Sequence, residues 1–174
     1  LPIVAIDPVD ARDHDDAIWA EPDGEGGFRA LVAIADVSFY VRPGGAVDRD
    51  ARKRGNSVYF PDRVVPMLPE VLSADVCSLK AGADRAAMPC HMTIDAQGRV
   101  TSWRFTRARV RIAEVIAYEE AQRRIDASEA APHLAHLWEA WRLLEKARKD
   151  RDPLELDLPE RRVLLDEQGR IAEV

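Results

Sequence analysis

Ile6-Asp7-Pro8-Val9-Asp10-Ala11-Arg12-Asp13-His14-Asp15-Asp16-Ala17 places five aspartates within ten residues and runs directly into the apolar segment Ile18-Trp19-Ala20. Ile3–Ile6 reads as a short strand that delivers Asp7 at its end. Pro8 fixes its own φ and cannot donate to a ladder, so the chain turns there. It returns as a second strand over Ala17–Glu21, which sets Asp13, Asp15 and Asp16 at the start of that strand, opposite Asp7. Two carboxylates about 5 Å apart repel by roughly 3 kcal/mol at an effective dielectric of about 20, so several converging on one point need a reason. A hard divalent cation is the usual one, and Mg²⁺ takes carboxylate and water oxygens at roughly 2.0–2.1 Å. In extended chain Asp13 and Asp15 share a face, with Asp16 on the other. Asp7, Asp15 and Asp16 could then hold one ion while Asp13 holds a second or orients a ligated water. The ligand alternation and central glycine of an EF-hand loop are missing. An acidic surface turn without a ligand is the competing reading, because aspartate is common in turns.

Around this loop, 174 residues with 47% apolar and 32% charged side chains suffice for one globular domain with a core of its own. No apolar run reaches the roughly 18 residues of a membrane span, and no cationic-then-apolar leader is present; the expectation is a cytoplasmic protein without a membrane segment. Cys77 and Cys90 lie in apolar or small-residue settings without metal-ligand spacing and read as buried free thiols. The net charge of −6 argues against a general basic coat for nucleic acid. It permits a nucleic-acid enzyme whose basic residues are local.

Along the chain, a turn at Asp23–Gly27 leads into Phe28–Ala35, an apolar run read as a strand buried on both faces. Asp36 ends it, either as a site residue or as a cap for the next turn. Ala46–Arg54 reads as a short helix stopped by Gly55, Asn56–Arg63 as extended chain, and Met67–Ser73 as a helical turn begun at Pro69. Arg85–Ile94 and Arg99–Arg111 form a hairpin around Asp95–Gly98, and Ile112–Ile125 turns helical near Tyr118. In Pro132–Arg151 the spacing of Leu134, Leu137, Trp138, Trp141 and Leu144 predicts an amphipathic helix with both tryptophans in the core. His133 and His136 lie one turn apart without further ligands, which speaks against a metal site. A last hairpin is read over Arg161–Leu165 and Arg170–Val174.

Two stretches are locally basic. Arg49–Arg63 carries Arg49, Arg52, Lys53, Arg54 and Arg63 together with Tyr59-Phe60. Arg99–Arg111 carries five arginines, no acid, and Trp103 and Phe105. Cations for phosphate and an aromatic face under a base are the two ingredients of single-strand binding. Each stretch also reads as a solvated charged face with a half-buried aromatic, less readily for the first, where the loop-like Asn56–Pro61 leaves Tyr59 fewer places to hide.

The residues then show a resemblance. IDPVDARDHDDA (6–17), VAIADVSFYVRPG (32–44), DRDARKRGNSVYFPDRVVPMLPEVLS (48–73), CSLKAGADRAAM (77–88) and LDLPERRVLLDEQGR (156–170) run in the order found in the RNB catalytic domain of the ribonuclease II / ribonuclease R family. The chain resembles the N-terminal portion of that domain, which in the family is about twice as long and completes its site with a later arginine and glutamate. The resemblance implies a processive 3′→5′ exoribonuclease that uses Mg²⁺, with Mn²⁺ as a substitute, to cut single-stranded RNA into nucleoside 5′-monophosphates. The implied chemistry is two-metal in-line hydrolysis with no side-chain nucleophile. The family's active-site aspartates carry over to Asp7, Asp13, Asp15 and Asp16, Asp15 being the most sensitive to substitution, while Asp10 is not among them. The tyrosine that stacks on the 3′-terminal nucleotide carries over to Tyr59, and Arg12, Arg54 and Arg63 join it as candidate RNA contacts.

Two readings of other classes stand beside this one: a metal-dependent phosphohydrolase of small phosphomonoesters, and a non-catalytic RNA-binding module. For architecture the expectation is an α+β domain spanning 1–174, a mixed, mainly antiparallel sheet with helices packed on one face.

Overall fold

Short apolar runs make the first strands, and the antiparallel pairing of the first two puts the aspartate loop at one end of the sheet. The computed structural model describes residues 1–154 and 163–173. Its main sheet is built from β1 (Val4–Asp7), β2 (Asp16–Pro22), β3 (Phe28–Ala35), β6 (Asp84–Ile94), β7 (Val100–Phe105), β8 (Ala108–Arg111) and β9 (Glu114–Ala117). The order is β7-β6-β3-β2-β1-β9, with β8 also paired to β6. Every pairing is antiparallel except β1 with β9, which is parallel and sets Asp7 beside Ala117. The expected mixed, mainly antiparallel sheet is therefore present. Its hairpin around Asp95–Gly98 has a second arm broken at Thr106-Arg107 into β7 and β8.

The period of two splits the core into two layers. Ile3, Ala5, Ala17, Trp19, Leu31, Ala33 and Ala35 face one side, where they meet Cys77, Leu79, Ile112 and the short helix α1 (Val37–Tyr40). Val4, Ile18, Ala20, Phe28, Ile94 and Ile116 face the other, under α3 (Tyr118–Asp126) and α4 (Pro132–Lys149). Leu79, Ile94, Ile112 and Ile116 are fully buried, and such side chains contribute roughly 1.5–3 kcal/mol each relative to exposure. Between the sheet strands lie α2 (Ala46–Arg54), the small hairpin of β4 (Val58–Tyr59) with β5 (Val64–Val65), and a helical turn whose amides return to the Pro69 carbonyl and which continues as a π turn over Leu72–Val76. β10 (Leu164–Leu165) pairs with β11 (Ile171–Glu173); the rest of the expected last hairpin lies outside the described residues.

Three expectations are corrected. β3 is not buried on both faces, since Ile34 is 47% exposed: α4 covers only the Phe28 half of that face. Trp141 is likewise 47% exposed, stacked on Trp138 at 4.7 Å. The helix face that meets the sheet is set by Leu134, Leu137, Ala140 and Leu144, and Trp138 and Trp141 lie one residue, about 100°, further round. Cys77 is buried but Cys90 is only half-buried; both are free thiols. Among the described residues no helix is long and apolar enough to cross a membrane.

Candidate active site

Asp7 closes β1 and Asp16 opens the antiparallel neighbour β2, so the loop between them stands at one end of the sheet. The loop is stapled from outside. Ala35, ending β3, donates its N–H to the Asp15 carbonyl at 2.8 Å. Ser78, fully buried, accepts from the His14 amide at 3.1 Å and donates its hydroxyl to the Arg12 carbonyl at 2.8 Å, while the Leu79 amide donates to the His14 carbonyl at 2.9 Å. The His14 ring is buried beneath the loop with Nδ1 at 2.7 Å from Asp7 Oδ2. An ionised carboxylate only accepts, so Nδ1 carries the hydrogen and donates it. Ser78 and His14 were not legible as site residues. Ser78 lies 64 residues from its partner, and His14 looked like one more polar residue of the loop.

The four sequence-selected aspartates act on one another. Partial desolvation, then the charges of Asp13, Asp16 and Asp7 in that order, push the Asp15 carboxyl above its ordinary value, against an opposite pull from His14. Asp16 is pushed the same way, by burial and then by Asp7. Asp10 is not among the charges acting on either. Tyr59, 65% exposed, donates its hydroxyl to Asp13 Oδ2 at 3.0 Å, which is the main cause of an upward shift in its own pKa. The small hairpin thus brings an aromatic ring to the aspartates from 46 residues away.

The arginines stand differently. Arg12 shares the loop and is exposed. Arg54 pairs with Asp50 at 2.9 Å and reaches the Pro66 carbonyl; Arg63 pairs with Asp62 at 2.7 Å and lies over the Phe60 ring. Exposed pairs of this kind are worth about 0–1 kcal/mol, so both guanidinium groups can turn to a phosphate. Asp36 makes no capping bond from its side chain; it is buried and paired with Arg107 at 3.1 Å. The second basic stretch has its aromatics exposed rather than half-buried. Arg99, Arg107, Arg109 and Arg111 there are paired with Asp95, Asp36 and Asp84. Tyr118, exposed and next after the Ala117 that pairs with Asp7, adds an aromatic at the same sheet end that the sequence reading took only as a helix start.

Among the described residues, no three carboxylate, imidazole or thiolate groups stand close enough together to enclose an ion unaided. The donor chemistry still suits Mg²⁺, which keeps several waters and is commonly held by one or two carboxylates plus substrate phosphate oxygens.

An RNB domain family model matches residues 1–174. The chain belongs to the RNB domain family. Ribonuclease R of Escherichia coli K12 is 42% identical over 182 aligned residues, covering all of this chain and 22% of that relative. The structure of Mycoplasma genitalium RNase R in complex with double-stranded RNA superposes with a TM-score of 0.92 at 29% identity, over 97% of this chain and 31% of that one. Yeast Ssd1, described as a pseudonuclease, superposes with a TM-score of 0.72 at 25% identity, over 91% of this chain and 19% of its own. The chain therefore spans about a fifth to a third of the length of these RNB relatives.

Proposed function

We propose that this chain is the aspartate-bearing portion of a Mg²⁺-dependent, processive 3′→5′ exoribonuclease that hydrolyses single-stranded RNA to nucleoside 5′-monophosphates. The observation that carries the reading is the placement of Asp7 at the end of β1 and Asp16 at the start of its antiparallel neighbour β2, with Asp13 and Asp15 in the loop between them and the Tyr59 hydroxyl hydrogen-bonded to Asp13 at 3.0 Å. Held by one or two of Asp7, Asp13, Asp15 and Asp16 at a time, together with water and substrate phosphate oxygens, Mg²⁺ or Mn²⁺ would supply Lewis-acid polarisation of the scissile phosphate and a more acidic attacking water. Tyr59 stacks on the terminal base and holds the strand end beside the carboxylates. Arg12, Arg54 and Arg63 neutralise backbone phosphates, the sequence-independent part of the affinity. The hard-oxygen donors bind the ion rather than attack, and no side chain of this edge needs to serve as nucleophile.

The test is hydrolysis of a short 5′-labelled single-stranded RNA by the chain and by Asp15→Asn, with Mg²⁺ and with EDTA. Because the chain spans only about a fifth to a third of the length of its relatives, weak hydrolysis or none is expected of it alone. Any shortening is expected to need the metal, to stop at a short limit product and to be lost in Asp15→Asn while a gel shift still shows bound RNA. Internal cuts, product that survives EDTA, or equal loss of binding would refute the proposal. A binding-only module has one observation in its favour, the shared architecture of a relative described as a pseudonuclease. Fold does not carry activity, and that reading requires Asp15→Asn to be silent.

A further inference from the structure

We propose that His14 is a positioning residue for the metal-binding edge, acting through Asp7; the inference rests on the metal-dependent reading above. His14 is the one site-loop side chain, among those described, that is buried rather than turned to solvent, and its ring is hydrogen-bonded to a carboxylate of the site. Both of its backbone polar groups are taken by neighbours distant in sequence, the amide by Ser78 Oγ at 3.1 Å and the carbonyl by the Leu79 amide at 2.9 Å. With the backbone pinned on either side, the ring has little freedom, and its Nδ1–H meets Asp7 Oδ2 at 2.7 Å. That bond fixes one carboxylate oxygen and so sets the direction of the group, leaving its other oxygen uncommitted to any hydrogen bond among the described residues. The Asp7 charge acts on both the Asp15 and the Asp16 carboxyl. A donor on its inner side opposes the tendency of that crowd to swing it away. Hydrogen bonds to a ligating carboxylate are the usual means of orienting it, and their loss costs about 10–100-fold in metal affinity or activity.

The alternative is that the imidazole only fills space under the loop. Two variants separate these roles. His14→Asn keeps a nitrogen donor bonded to Cγ, where Nδ1 stands, while His14→Leu fills the hole and offers no donor. The measurement is Mn²⁺ titration of the chain followed by the electron paramagnetic resonance signal of free aqueous Mn²⁺, with circular dichroism melts to establish that each variant folds. His14→Leu is expected to weaken Mn²⁺ binding about 10–100-fold, and His14→Asn to restore most of it. Leu binding as well as wild type, or Asn no better than Leu, overturns the inference, because space-filling then accounts for the residue. Asp15→Asn is the third arm. If wild type binds Mn²⁺ and Asp15→Asn loses it while His14→Leu does not, only the role of His14 falls. If wild type binds no Mn²⁺, the metal-dependent reading falls and the inference with it.

Discussion

Replacing Tyr59 separates what its ring does from what its hydroxyl does. The ring is 65% exposed, so a face is available to a base, while the hydroxyl spends its hydrogen on Asp13 at 3.0 Å. Base–aromatic stacking is worth about 1–3 kcal/mol by alanine substitution, which is roughly a 5- to 150-fold change in affinity. A hydrogen bond to a charged acceptor gains more than a neutral one when buried, but here water competes and the net is under about 1 kcal/mol, less than about fivefold. Tyr59→Ala is therefore expected to weaken binding of a fluorescein-labelled single-stranded RNA by a factor in the stacking range. Tyr59→Phe, which keeps the ring, is expected to stay within the smaller range. Fluorescence anisotropy in an Asp15→Asn background reads both with Mg²⁺ present and hydrolysis stopped. An equal loss in Phe and Ala would show that the Asp13 contact, not stacking, carries the affinity. No loss in Ala would show that RNA does not reach this ring, and the assignment of Tyr59 would fall.

Two further outcomes concern the frame around the site. Gly98 turns at φ +76° in the Asp95–Gly98 turn, and a Cβ there would run into the Leu143 carbonyl and stand 2.8 Å from Ala147 Cβ, whereas Gly24, at φ +89°, has open space. Gly24→Ala is expected to cost about 1–2 kcal/mol for the left-handed backbone alone, and Gly98→Ala about 1–3 kcal/mol more, read as a lower midpoint in urea or heat; equal costs would show that the turn does not bear on α4. Glu120 hydrogen-bonds Arg123 and Arg124 one turn along α3, which pulls its pKa from 4.5 to about 2. Because the folded value is depressed, its stabilisation is full above the ordinary value and is lost as pH falls from 4.5 towards 2. Low-salt NMR titration of the Glu120 carboxyl checks this, and a midpoint at its ordinary value would show that the pairs do not form.

The sheet end at which the aspartates gather also carries the exposed side of β3, where Ile34 pairs with Asp16 and lies open beside it. A carboxylate flanked by an apolar residue is less well hydrated on that side, which agrees with burial leading the upward shift at Asp16. The open face and the repelling carboxylates thus belong to one place in the fold.

Local signals determined the strands on either side of the aspartate loop, the helix Ala46–Arg54, the turn at Asp95–Gly98 and the long α4, because alternation, helical spacing and turn residues act over a few neighbours. The placement of Asp7 and Asp16 at neighbouring strand ends was equally legible, since a proline turn between two short antiparallel strands brings the ends of those strands together. Only the tertiary structure decided what meets that loop from afar: Ser78 and Leu79 closing on His14, Tyr59 reaching Asp13, Arg107 pairing with Asp36, and β9 lying parallel to β1. Periodicity says which face of a strand or helix is apolar, not which distant segment covers it or how far the cover extends. For the same reason the apolar residues Ile34 and Trp141 read as core in the sequence and stand open in the fold: burial is a property of the partner that arrives, and none of the described elements arrives there.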